Sequence, residues 1–200
     1  MLDGTLPRID FGRWQQWIAG LPTGGSGGSA INRVDLQLDQ LDVFGQRFPD
    51  IQINGELRGD RWRLNVESAE AQGRVVYQPN PALIDLDFNK LSLFSDNSEA
   101  SLPSQSGFVD FPSLDINIDN FLLNGVQMGR LALTAEPVDS SELTFPNIQL
   151  TSLESQLRAS GVWRQDIDQG VVRETSYFQG NLETDNFGDV LTLLGQPQAV

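Results

Sequence analysis

The chain contains no cysteine and no histidine. Thiol nucleophiles, Ser-His-Asp triads, imidazole bases and the ordinary zinc sites are therefore excluded before any motif is sought. Lack of cysteine also removes disulfides and suits any redox compartment. Basic residues are scarce: 13 Lys and Arg stand against 27 Asp and Glu, a formal net charge of −14. Such a chain is repelled by a phosphate backbone and by an anionic lipid surface. No apolar run approaches the roughly 18 residues that read as a membrane span, and Met1 is not followed by a signal-peptide pattern. These absences set the first expectations: no nucleic-acid partner, no membrane span in this segment, no metal, no cofactor and no catalytic residue.

What is present is alternation. With 39% hydrophobic residues in 200, the chain can bury a core, and its apolar residues recur every second position, the period of a strand with one wet face. Val34, Leu36 and Leu38 alternate with Asp35, Gln37 and Asp39. The same period runs through 51–53, 62–66, 71–77, 84–88, 91–93, 114–118, 131–135 and 157–163. Short polar or glycine-containing links separate these runs, which suits antiparallel neighbours better than crossovers. The expected fold is mainly β, an antiparallel meander in one continuous sheet.

Two stretches follow a helical period instead. Asp10 precedes Phe11, Trp14, Trp17 and Ile18, with Gly20 and Pro22 as a stop. Near the other end, Asp185 or Asn186 leads into Phe187, Val190, Leu193 and Leu194 at the same offsets, followed by Gly195 and Pro197. The organisation expected is an amphipathic helix in 1–22, a Gly/Ser tether in 23–30, a first β-unit in 31–94, a loop in 95–113, a second β-unit in 114–184 and a helix in 185–200.

The two β-units resemble each other. Shifted by 80 residues, Val34-Asp35-Leu36-x-Leu38-Asp39-x-Leu41 falls on Leu114-Asp115-Ile116-x-Ile118-Asp119-x-Phe121. The register continues through Phe48/Met128, Ile51/Leu131 and Ile53/Leu133, and after a net insertion of eight residues Ala71-x-Gly73 falls on Ala159-x-Gly161. That is a tandem repeat.

Carboxylates are the acid/base candidates that remain. Asp35 with Asp39, and Asp115 with Asp119, share the solvated side of their strands, where charge keeps a sheet soluble and guards its edges. A glycosidase pair would need one carboxyl group in an apolar or crowded setting, and this pattern supplies none. Asp166-x-Asp168-x-Gly170 departs from a calcium loop in its glycine position and reads as a hairpin turn. Trp62 and Trp163 belong to inward-facing sets and Trp14 and Trp17 to a helix stripe, so packing is the default reading, with lining of a lipid or ligand groove as the alternative.

The segments VDLQLDQLDVFGQRFPDIQI, RWRLNVESAEAQGRVVY and Leu150 to Arg164 resemble the repeats of YhdP-type AsmA-like proteins. The closing LETDNFGDVLTLLGQPQAV and the opening IDFGRWQQWIAGLP resemble the helices between such repeats. The resemblance implies an envelope protein of Gram-negative bacteria, anchored in the inner membrane and crossing the periplasm as an open, taco-shaped β-sheet groove. It implies that phospholipids move along that groove without a chemical reaction. The implied partners are phospholipid acyl chains and neighbouring repeats of the same longer chain. The groove face would be drawn from Leu36, Leu38, Ile53, Leu64, Val66, Val75, Leu86, Phe88, Ile116, Ile118, Leu133, Leu150, Ala159 and Trp163. The alternatives are a structural or protein-interaction β-domain with a sealed core and, more remotely, a carbohydrate-active β-enzyme.

Overall fold

The computed structural model describes residues 1–10, 31–43, 46–94, 112–139, 141–168 and 171–185. The helical stripes expected at 11–18 and 187–194, with Trp14 and Trp17, fall outside the described residues, as does nearly all of the 95–113 link. The expected helix in 1–22 needs correction at its start, because its first ten residues are largely strand: β1 spans Leu2–Leu6 and β2 spans Ile9–Asp10. The first β-unit contributes β3 (Arg33–Val43), β4 (Gln46–Arg58), β5 (Arg61–Glu67), β6 (Ala71–Pro79) and β7 (Ala82–Leu93). The second contributes β8 (Ser113–Leu123), β9 (Val126–Pro137), β10 (Glu142–Thr151), β11 (Ser155–Asp168) and β12 (Val171–Thr184).

These strands form one sheet, with neighbours in the order β1-β3-β4-β5-β6-β7-β8-β9-β10-β11-β12. The segments β1 and β2 lie end to end along one side of β3, broken at Pro7 and Arg8. Among the described residues β1 and β12 occupy opposite edges, so the sheet is open. Antiparallel neighbours are joined by short links. Asn124 and Gly125 carry β8 into β9 with φ of 52° and 77°, the left-handed pair that a two-residue hairpin needs.

The meander is not antiparallel throughout. Strands β7 and β8 run parallel, and so do β1 and β2 against β3. A parallel neighbour requires a connection of a dozen or more residues. Both such connections are long, 11–32 and 94–112; the first contains the 23–30 tether and the second nearly coincides with the 95–113 loop. The seams also match in register. Leu2, Leu6 and Ile9 stand beside Val34, Leu38 and Leu41, and Ile84, Phe88 and Leu91 stand beside Leu114, Ile118 and Phe121. Residues 2–10 therefore take the place beside β3 that part of β7 takes beside β8.

One further feature crosses the sheet. The buried residues of a flat strand should alternate, yet Leu38 and Leu41, Ile51 and Phe48, Phe88 and Leu91, and Ile118 and Phe121 all lie in one apolar cluster at a spacing of three. The two intervening residues form a crease in each strand. Leu38 pairs with Ile51 and Gln40 with Pro49, while Asp39 and Asp50 between them make no ladder pair, and Asp50 takes a φ of 46°. The crease explains why the sequence reads as two runs at 84–88 and 91–93 although β7 is one strand.

Candidate functional site

The candidate site is the apolar face of the sheet, and its rows can be followed strand by strand. Leu36 pairs with Ile53, Ile53 with Val66, Val66 with Gly73, Gly73 with Phe88 and Phe88 with Ile118. The row continues through Leu131 and Leu150 to Leu157 and Leu182. A second row links Leu64, Val75, Leu86, Ile116, Leu133, Ile148 and Ala159. Trp163 lies two and four residues from Gly161 and Ala159 on β11, hence on the same side. All fourteen residues named as groove candidates therefore share one face.

Burial divides them. Leu36, Leu38, Phe88 and Ile118 are buried; Leu38 is 0% exposed and Ile118 1%. The other ten are half-buried. The groove set left out Val34, Ile51 and Ala71, although the same alternation includes them, and it missed Phe48 and Phe121; all five are buried in the same cluster. For Phe48 and Phe121 the signal was present, since they lie three residues from Ile51 and Ile118; strict alternation discards it.

Two glycines hold aromatic rings close to the face. A Cβ on Gly73 would lie 2.7 Å from Cγ of Phe88, the residue opposite it on β7. Gly161 faces Phe178 in the same way, and the Phe178 ring is 5.5 Å from that of Phe145. A ring laid over a cross-strand glycine covers backbone that would otherwise be wet. The ladder corrects the alignment at this point. Counted from β3 and β8, Gly73 is level with Ala159, and Gly161 is one row farther on. The β10–β11 hairpin is longer than β5–β6 and shifts the register.

The opposite face is polar. Asp35, Asp39, Asp115 and Asp119 are exposed there, and Asp119 accepts a 2.8 Å bond from Arg130. Asp42 is more enclosed. Burial pushes its carboxyl up, but the Gln40 amide, Arg8 and Arg47 outweigh that and hold it below the usual carboxylate value. Arg8 Nε lies 2.6 Å from Asp42 Oδ2, which ties the β1–β2 edge to β3. At the β7–β8 seam Asp85 stands beside Asp115. Its carboxyl is raised by burial and by the charges of Asp115 and Asp87, against the opposing pull of Arg74. Arg74, Asp85, Asp87, Asp115, Asn117 and Arg130 line a shallow polar hollow at this seam. Asp166 and Asp168 belong to β11, with Asp168 paired to Val171, so a hairpin link lies between them and β12.

The arrangement offers a broad apolar surface backed by a polar one. A family model described as YhdP protein matches residues 1–200. The chain belongs to the YhdP family. No curated protein and no solved structure matches it. YhdP membership bears out the resemblance carried by the repeats. Among the described residues of this YhdP chain, no helix is long and apolar enough to cross a membrane.

Proposed function

We propose that this chain is a periplasmic segment of an inner-membrane-anchored envelope protein, and that its apolar face carries phospholipid acyl chains between the membranes without a chemical reaction. The observation that supports this best is the continuity of that face. Its rows run from β3 to β12 and cross the parallel β7–β8 seam with no polar interruption. An acyl chain gains about 0.8 kcal/mol for each methylene it removes from water, and a headgroup at the rim needs no polar handle. Neighbouring repeats are the second proposed partner. Strand β12 ends the second unit as β7 ends the first, and β7 is covered by the parallel strand β8. An incoming strand patterned like β3 or β8 would add to β12 in the same sense.

The test is lipid retention. Purified protein extracted with organic solvent and analysed by mass spectrometry is expected to yield phospholipid, and Leu133→Asp or Leu64→Asp to yield much less. Both residues are half-buried on the face, so the sheet should tolerate the change, whereas Leu38 and Ile118 are too deeply buried for an acidic probe. Wild-type protein free of phospholipid, from cells that contain it, would sink the proposal. It would favour a structural domain with a sealed core, a reading supported by the complete burial of Leu38 and Ile51.

A further inference from the structure

The first unit contains a contact that sheet pairing does not require. The Gln46 side chain, at the end of the β3–β4 pair, meets the backbone of Phe94, just past the end of β7. Its Nε2 donates to the Phe94 carbonyl at 2.8 Å, and its Oε1 accepts from the Phe94 N–H at 2.9 Å. One amide side chain thus imitates a ladder pair. In a flat sheet β4 and β7 would be three strand spacings apart, roughly 14 Å, which a glutamine cannot bridge. The end of the β3–β4 pair must therefore lean across the strands between them.

Two local features permit this. Strands β5 and β6 stop early: the last β4–β5 pair is Gln52 with Glu67, and β4 then continues alone from Ile51 to Gln46 on that side. The crease supplies a bending point, because Asp39 and Asp50 skip their ladder pair and Pro49 has no N–H to give. Beneath the leaning segment Phe48, Ile51, Ala71 and Phe121 are buried in one apolar cluster. The second unit lacks the gap. There β10 pairs with β9 as far as Thr151 with Arg130, and only Val126 to Gly129 runs past it.

We infer that residues 40–43 and 46–49 form a strap hinged at the crease and fastened by Gln46 to Phe94, and that it closes the crease end of the apolar face, over the buried cluster that Ile118 and Phe121 of β8 also join. Opening would uncover Phe48 and Ile51 and extend the surface available to an apolar ligand. The gating role rests on the acyl-chain reading above; the fastening does not. Both Gln46 bonds face solvent, so the fastening is weak enough to be released.

The test measures hydrogen exchange at Phe94 and binding of the uncharged dye N-phenyl-1-naphthylamine to the full 200-residue chain. Gln46→Ala is expected to speed exchange of the Phe94 amide about tenfold, leave the Ile116 amide in β8 unchanged, and increase dye binding. Gln46→Glu is expected to behave the same way at pH 7, where the carboxylate cannot donate to the Phe94 carbonyl. Near pH 4 its protonated form should regain much of the closure. Unchanged Phe94 exchange in Gln46→Ala would overturn the fastening. Faster exchange with unchanged dye binding would overturn the gating. Absence of co-purified phospholipid with a normal exchange response would instead count against the acyl-chain reading and leave the strap standing.

Discussion

The two units share strand order, seam register and crease, yet they finish the crease end of the apolar face differently. In β3–β7 a short β5–β6 hairpin leaves a gap, the end of the β3–β4 pair leans over it, and Leu38 and Ile51 are almost wholly removed from solvent. In β8–β12 the longer β10–β11 hairpin fills the corresponding rim. Its last pair reaches β12, where the Ser155 and Thr184 hydroxyls lie 2.7 Å apart. Residues toward that edge remain open, with Phe178 48% exposed. One hairpin two residues longer or shorter is thus enough to decide whether the end of a repeat folds over part of its face.

The glycine–phenylalanine pairs should break this symmetry most sharply. At Gly73 an added side chain would meet the Phe88 ring and backbone inside the sheet, where Phe88 is only 7% exposed. We expect Gly73→Val to destabilise the chain by about 4 kcal/mol, as overpacking without room to relax does. At Gly161 the added atom would meet the Phe178 ring, which can swing outward, and the Tyr177 carbonyl oxygen at 2.7 Å, which can yield only as the edge strand shifts, so Gly161→Val should cost about 2 kcal/mol. Urea denaturation compares them directly, and equal losses would mean that the two units are packed alike. Truncation on the face is expected to give the next largest loss. Buried Ile51→Ala should cost about 3 kcal/mol and leave a cavity, while its half-buried counterpart Leu131→Ala should cost about 1 kcal/mol. A Leu131→Ala loss as large as that of Ile51→Ala would show that this end of the second unit is covered as well.

How far the sequence disclosed this arrangement depends on the range of the interaction. Alternation is local, so Val34-Leu36-Leu38 and Leu114-Ile116-Ile118 reveal both strands and faces, and the 80-residue shift reveals their equivalence. The face of all fourteen groove candidates was legible for the same reason. Parallel pairing at the seams was not, because nothing within β7 or β8 says which side of an earlier strand a later one joins; only the length of the 95–113 link hinted at a crossover. The crease was written in the i, i+3 steps at Leu38–Leu41 and Ile118–Phe121, but a period-2 reading treats such a step as a break. Residues 2–10 were hidden for another reason. Pro7 and Gly4 argue against a regular strand, and only pairing with β3 makes one of them. The Gln46 contact, between residues 48 positions apart, has no sequence signature at all.

The smallest expected effect concerns the seams, where the two parallel junctions share a like-charge pair. Asp3 stands beside Asp35 in one and Asp85 beside Asp115 in the other. At the second, the groups facing Asp85 are Asp87, Asp115 and Asn117, with Arg74 and Arg130 at the margin. Burial, with the charges of Asp115 and Asp87, raises the Asp85 carboxyl above the ordinary value of 3.8. A carboxyl raised on folding binds its proton more readily in the folded chain, so its ionisation opposes folding. That penalty is present at neutral pH, fades as pH falls through the raised value, and is gone below 3.8. Asp85→Asn removes the titrating group and keeps its shape. The variant should therefore be slightly more stable than the wild type at pH 7, with the difference in urea midpoint shrinking steadily toward pH 4. Asp42 and Asp139, whose carboxyls are lowered on folding, lose stabilisation in the acid range in both proteins and cancel in the comparison. A difference that stays constant from pH 7 to pH 4 would mean that Asp85 acts through packing alone, and that the seam between the units carries no electrostatic strain.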